Sequence, residues 1–180
     1  MRGPAFNLVN GALLMAISVV LTRFASFYVL PSIRVGFGPV PIYLAGLLMG
    51  PIHGGGVGAL SDILGFWLNT GGYAFPNPLI TLAFACRGTL PPLLLKLLGG
   101  EISFRRLLAV LALTEVVAGL LLTTLGLSQI LGVPFAKLLL PRVVSTSIHV
   151  FAYSLIVYPV YVKVYSLLGG ACYTPLATRR

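Results

Sequence analysis

The chain has 180 residues, of which 58% are hydrophobic and only 8% are charged. The 12 Lys and Arg and 3 Asp and Glu side chains are too few to coat a soluble fold of this size, so the composition excludes a soluble enzyme or a soluble nucleic-acid-binding domain. The net charge of +9 indicates a positive-inside bias at segment ends, because no basic run is interleaved with aromatic residues.

The hydropathy pattern predicts an all-α integral membrane protein with six helices in a single domain, 1–180. Its approximate helices are 5–29, 39–50, 52–68, 78–98, 105–127 and 141–168. The region 39–68 is too long for one span and short for two, and Pro51 in its middle disfavours a continuous helix. We therefore expect two short helices joined by a tight turn, with a re-entrant hairpin as the alternative.

Six spans put both termini on one side of the membrane, and the basic residues predict which side that is. More of them lie at the ends shared with the termini than at the opposite ends, which predicts cytoplasmic termini. The outer connections, 30–38, 69–78 and 128–141, are longer than the inner turn at Pro51. Long loops on one face indicate either a lid over a cavity that opens outward or simple connectors.

Small residues recur at a spacing of four, which places them on one helix face. Ala12 and Ala16 form such a pair in helix 1, and Gly46, Gly50, Gly54 and Gly58 share the spacing, although Pro51 interrupts the helix. Small side chains let another helix approach closely in a membrane. The contact predicted for these faces is either another helix of this chain or a partner subunit.

Four ionisable residues fall at membrane depth, where burial of a charge is costly: Arg23, Asp62, Arg87 and Glu115. One interpretation is an Asp62–Arg87 pair that neutralises itself. The other is that Asp62 and the arginines line a cavity, since a carboxylate accepts two parallel N–H bonds and an arginine fork matches a carboxylate or ring carbonyl.

Three aromatic residues lie near the outer mouth, namely Trp67, Tyr73 and Phe75. They could stack on a flat ligand, or belong to the interfacial belt that membrane proteins carry regardless of ligand. His53 and His149 lack companion ligands for a metal, and no phosphate-binding Gly-rich loop with Lys is found. We expect no metal, no cofactor and no ATPase activity from this chain alone.

Several segments together resemble the substrate-binding S components of energy-coupling-factor (ECF) vitamin transporters, and most closely their folate-specific members. They are RVGFGPVPI at 34–42, LAGLLMGP at 44–51, GALSDILG at 58–65, FPNP at 75–78 and ACRG at 85–88, with Pro141-Arg142 near the end. The Ala12–Ala16 pair falls where this family has a helix-1 contact. The resemblance covers about 8–163 and is strongest over 34–88.

The resemblance implies a six-helix subunit of a prokaryotic plasma membrane, which binds a vitamin from outside and has no ATPase. It implies docking on a transmembrane T component that rests on two ABC-type ATPases, with Ala12 and Ala16 as the sliding contact. Toppling of the S component would present the ligand to the cytoplasm. The outer loops, chiefly the one after helix 1, would close over the ligand.

Folate would suit the candidate residues, with Asp62 reading the 2-amino and N3–H pair of the pterin and Arg34, Lys137 or Arg142 near the anionic tail. The full set of predicted substrate-binding residues is Arg23, Arg34, Asp62, Trp67, Tyr73, Phe75, Asn77, Arg87, Lys137 and Arg142. Alternatives are an S component for pantothenate, hydroxymethylpyrimidine or a queuosine precursor, a standalone facilitator, or an intramembrane enzyme. The expected partners are the vitamin, the T component, the ATPases and the bilayer, and no nucleic acid.

Overall fold

A computed structural model of the chain describes residues 4–24, 26–30, 33–68, 75–99 and 102–167. It contains six helical rods and one β-hairpin, formed by β1 (Ser26–Leu30) and β2 (Ile33–Gly36) within the described residues. The rods are α1 (Pro4–Phe24), α2 (Pro39–Met49), α3 (Pro51–Leu68), α4 (Pro78–Leu97), α5 (Phe104–Leu131) and α6 (Phe135–Leu167). The predicted all-α, six-helix membrane fold class is confirmed.

Three of these helices are long and apolar enough to cross a bilayer by themselves: α4, α5 and α6. Shorter apolar stretches occupy 7–22 in α1 and 39–49 in α2. Almost every residue of α2 is buried, so this short helix runs through the centre of the bundle. Its Tyr43 and Leu47 pack in the main core with Leu107, Leu111 and Tyr153.

The region 39–68 forms two short helices, as the position of Pro51 predicted. The chain reverses at Gly50, whose φ of 92° lies in the left-handed region that favours glycine. The Gly50 backbone N–H makes the last hydrogen bond of α2, to the Gly46 carbonyl at 2.9 Å. Pro51 then occupies the first position of α3, where a proline removes no helix bond.

The helix bounds differ from the predicted ones at three places. Helix α1 ends at Phe24 rather than 29, because 26–30 pairs with 33–36 in an antiparallel hairpin. Hydropathy alone does not separate these states, since apolar β-branched and aromatic residues suit both a strand and a span. Helix α5 continues to Leu131 and ends at Gly132, whose φ is 65°. Helix α6 begins at Phe135, so Pro141 lies inside the helix instead of opening it.

Glycines join α2, α3 and α4 at backbone distance. A Cβ atom on Gly54 would meet backbone atoms of both Gly46 and Gly88, and one on Gly58 would meet the Phe84 carbonyl. The predicted close helix contact through the four-residue glycine spacing is therefore made inside this chain. Because these three helices lock together, α4 holds its polar residues at a fixed place in the bundle.

Candidate functional site

A cavity of about 170 Å³ lies where the ends of several elements meet. Its walls come from the end of α1, the stretch that joins β2 to α2, and the middle parts of α4, α5 and α6. The lining residues are Thr22, Gly36, Gly38, Pro39, Phe84, Arg87, Glu115, Gly119, Thr123, Arg142, Thr146, His149 and Tyr153. The cavity is therefore walled by helices that are far apart in sequence.

An ion pair between α4 and α5 forms the polar centre of the cavity. Arg87 is 7% exposed and Glu115 is 1% exposed. Arg87 donates from Nε to Glu115 Oε1 at 2.8 Å and from Nη2 to Oε2 at 3.0 Å. The Tyr43 hydroxyl, from α2, donates to the same Oε1. Three helices thus meet at one carboxylate, and the pair neutralises two charges that would be expensive to bury singly.

The local backbone of α5 makes room for this carboxylate. Immediately after Glu115 the helix widens to a π-helical segment, Val116–Leu122. Gly119 lies one turn beyond Glu115, and a Cβ atom there would collide with Glu115 Oε2 and lie 3.3 Å from Arg87 Nη2. The Thr123 hydroxyl donates to the Ala118 carbonyl at 2.6 Å, and the Thr123 backbone N–H donates to the same oxygen at the end of the widened turn.

A second cation and three aromatic rings complete the walls. Arg142 is half-buried and forms no hydrogen bond or ion pair with any of the residues that the structure describes. His149 and Tyr153 stack one turn apart on α6, with ring centroids 5.2 Å apart and planes 3° apart. The Arg87 Cζ atom lies 5.2 Å from the centroid of the Phe84 ring. The two arginines and Glu115 give the cavity one positive charge in excess, and the rings give it flat apolar surfaces.

Hydrogen bonds tie the segment between the hairpin and α2 to two helices. Ser18 Oγ in α1 donates to the Gly38 carbonyl at 2.8 Å, and the Tyr153 hydroxyl in α6 donates to the Gly36 carbonyl at 2.7 Å. Gly38 is required here, because a Cβ atom would collide with the Thr22 hydroxyl. The end of the hairpin is therefore fixed against the cavity by side chains that are 20 and 117 residues away.

The predicted Asp62–Arg87 pair is wrong. Arg87 pairs with Glu115, while Asp62 Oδ2 accepts a hydrogen bond of 2.6 Å from the Thr81 hydroxyl. Asp62 is on α3, which contributes no residue to the lining of this cavity. The sequence placed Asp62, Arg87 and Glu115 at similar depth, and only the packing of α4 against α5 chose the partner.

The other predicted substrate-binding residues are dispersed. Arg87 and Arg142 line the cavity together. Trp67 and Phe75 are 60% and 78% exposed at the ends of their segments, and Lys137 is exposed in the first turn of α6. Asn77 caps α4, with its Oδ1 accepting from the Leu79 N–H at 2.9 Å. The side chains of Arg23 and Arg34, and the whole of Tyr73, lie outside the described part of the chain.

The predicted site left out several cavity residues, among them Glu115, Gly119, His149 and Tyr153. It also left out Tyr43, whose hydroxyl donates to Glu115 from α2. Glu115 carried a signal, because it is a carboxylate at membrane depth. Tyr153 and Gly119 carried none, since an aromatic residue or a glycine in an apolar helix is ordinary. Both became recognisable only through their neighbours in space.

The predicted docking face of α1 is open. The side chains of Ala12 and Ala16 are exposed, whereas Gly11, on another face of the same helix, is buried against Val57 and Met49. This arrangement leaves a strip of small residues on the outside of the bundle.

The sequence matches the family described as "ECF transporter, substrate-specific component" over residues 6–161. The chain belongs to this family. It is 29% identical over 147 residues to the curated folate transporter FolT of Clostridium novyi (strain NT), covering 82% of this chain and 83% of that protein. The S-component assignment made from the sequence motifs is confirmed.

Two solved structures share the fold. A crystal structure of FolT bound with folic acid is similar with a TM-score of 0.69 and 26% identity, covering 87% of this chain and 92% of that one. The S component of a bacterial ECF transporter is similar with a TM-score of 0.61 and 22% identity, covering 92% and 99%. This membrane-protein family and its fold therefore account for nearly the whole described chain.

Proposed function

We propose that the chain is the folate-binding S component of an ECF importer, which captures folate from outside the cell and has no ATPase of its own. The observation that carries the proposal is the cavity, which combines one excess positive charge with three aromatic rings. Such a site suits a flat, anionic ligand. Its occurrence in a chain that resembles FolT supports folate within this ligand class.

Folate has a flat pterin, a benzoyl ring and an anionic glutamate tail, and each has a counterpart in the walls. Phe84 and the His149–Tyr153 stack offer ring faces. Arg142 offers a guanidinium whose donors have no acceptor among the described residues, and we assign it to a tail carboxylate. Arg34 lies two residues before the lining residue Gly36, and Lys137 lies five before Arg142, so both could attract the tail at the entrance.

The same proposal includes the partners that power transport. We expect the exposed Ala12–Ala16 strip of α1 to slide on a T component, because small side chains allow close helix approach in lipid. Two ABC-type ATPases would then supply the energy. The chain would span the plasma membrane with its termini in the cytoplasm and topple to release folate inward.

The test is folate binding by the purified protein. Mass spectrometry of the small molecules that copurify with detergent-extracted protein should find folate, and titration calorimetry should find tight folate binding. Amidation of both tail carboxylates of folate should weaken binding by about tenfold or more, since it removes a charge-assisted bond to Arg142. Heat with another vitamin and none with folate would reject the folate assignment and keep the family.

Arg142→Gln gives the sharper form of this test. The variant should bind ordinary folate and amidated folate with similar affinity, whereas the matched variant Lys96→Gln, which removes an exposed cation from the far end of α4, should keep the wild-type difference. Equal discrimination in both variants would show that the tail is bound elsewhere.

A further inference from the structure

The pairing of Arg87 with Glu115 leaves one particular edge of the guanidinium unused. An arginine has five N–H donors in a planar fork. Glu115 takes the bond from Nε and one bond from Nη2. The opposite, terminal edge keeps one N–H from each Nη atom, parallel to one another, and these have no acceptor among the described residues. Because Arg87 lines the cavity, this terminal fork is left for a ligand.

We propose that Glu115 is a positioning residue that holds the Arg87 terminal fork for a ligand with two adjacent acceptors, the ring carbonyl and neighbouring ring nitrogen of a pterin. The inference rests on the proposed function and names the recognition step within that site. Arginine reads guanine through the same pair of atoms, a carbonyl oxygen and the adjacent ring nitrogen. In folate the equivalent pair is the 4-carbonyl oxygen and N5.

The burial of the two arginines favours the pterin over the tail as the ligand of Arg87. Arg87 is 7% exposed and lies against the Phe84 ring, whereas Arg142 is only half-buried. A neutral flat ring is cheaper to bury beside an already neutralised ion pair than a second carboxylate is. The anionic tail is then left to the uncompensated and more accessible Arg142.

Glu115 is held in place from three directions, as a positioning residue should be. Tyr43 donates to its Oε1 from α2, and Arg87 donates to both oxygens from α4. On α5 itself, the missing side chain of Gly119 provides the space that Oε2 occupies. The π-helical turn that carries Gly119 thus has a specific task, which is to seat this carboxylate beside the arginine.

The direction in which Glu115→Gln changes the folate affinity distinguishes a positioning role from a purely electrostatic one. Glu115→Gln makes the cavity more positive, so a purely electrostatic role predicts tighter binding of anionic folate. Glutamine keeps one acceptor oxygen, but its NH2 group presents donors to a guanidinium that also has only donors. The two-bond pair with Nε and Nη2 would fall to a single bond, the fork would no longer be fixed, and binding would weaken.

The experiment compares folate with 5-deazafolate, in which N5 is replaced by a carbon that cannot accept a hydrogen bond. Calorimetry on the full chain in detergent should give wild-type binding of 5-deazafolate about tenfold weaker than that of folate, the loss of one charge-assisted hydrogen bond. In Arg87→Gln and Glu115→Gln the two ligands should bind alike. The double variant should bind folate no more weakly than Arg87→Gln alone, since Glu115 acts only through Arg87.

Two further variants keep the test independent of folding defects. Gly119→Ala retains every charge and should also lose the discrimination, because its methyl group displaces the carboxylate. Ser154→Ala, which removes a buried hydroxyl bonded only to the Val150 carbonyl of its own helix, should keep it. Equal wild-type affinity for the two ligands, or an undiminished difference in folded Glu115→Gln, would overturn the inference while folate binding stands. A wild-type protein that binds no folate would overturn the proposed function and this inference together.

Discussion

Replacing a glycine of α3 by alanine should stabilise the protein at one position and destabilise it at two others. Alanine at Gly56 meets nothing within 4 Å, whereas a Cβ atom on Gly54 would lie 2.5 Å from the Gly88 carbonyl oxygen and 2.8 Å from the Gly46 nitrogen. A Cβ atom on Gly58 would lie 2.7 Å from the Phe84 carbonyl carbon. Backbone atoms cannot turn aside as a flexible side chain can, so α3 would have to move away from α2 and α4.

The magnitudes follow from two competing contributions. Replacing a helical glycine by alanine favours the helix by about 0.5–1 kcal/mol. Forcing a methyl group into a filled contact costs about 1–3 kcal/mol, and contacts with rigid backbone belong at the upper end. We therefore expect Gly56→Ala to stabilise the protein slightly and Gly54→Ala and Gly58→Ala to destabilise it, with a separation of about 2–3 kcal/mol.

The assay is thermal unfolding of the three detergent-solubilised variants beside the wild type. A change of 1 kcal/mol corresponds to about 2–4 °C for a chain of this size, so the midpoints should separate by roughly 4–12 °C with the wild type between them. If all three alanine variants unfold together, the close approach of α2, α3 and α4 is refuted. If only Gly58→Ala is tolerated, the α3–α4 contact at Phe84 alone is looser than described.

Three other sets of substitutions test the remaining parts of the structure. Ala12→Trp and Ala16→Trp should spare folate binding and abolish uptake by cells that contain the whole transporter. The control Leu155→Trp, at an exposed position of α6, should leave uptake intact. Continued uptake in the Ala12→Trp and Ala16→Trp variants would reject the docking strip. Asp62→Asn should weaken folate binding by less than about threefold, because position 62 lies outside the cavity lining and Asn keeps an acceptor for the Thr81 hydroxyl. A loss as large as that of Arg87→Gln would show that Asp62 belongs to the binding site. Asn77→Ala should lower the free energy of unfolding by about 1 kcal/mol, because the α4 cap is lost. Asn77→Asp keeps a capping oxygen and should not lower it. An equal loss in both variants would show that the bonds from the Asn77 amide to α5 contribute more stability than the cap does.

The sequence by itself determined the membrane environment, the all-helical class, the break at Pro51 and the family. These properties are recorded locally: apolar length requires lipid, a proline removes a helix bond, and short motifs identify relatives. The sequence also predicted the close glycine contacts, because residues four apart lie on one helix face whichever helix packs against it.

Tertiary structure alone decided which polar groups meet. One interpretation of the sequence paired Arg87 with Asp62, whereas Glu115 is its partner in the folded chain. The choice depended on the packing of α4 against α5, which no local pattern records. The β-hairpin after Phe24 was hidden for a related reason, because its strand residues are as apolar as those of a membrane helix. The cavity draws its walls from residues 22 to 153, so its lining became visible only when the chain was folded.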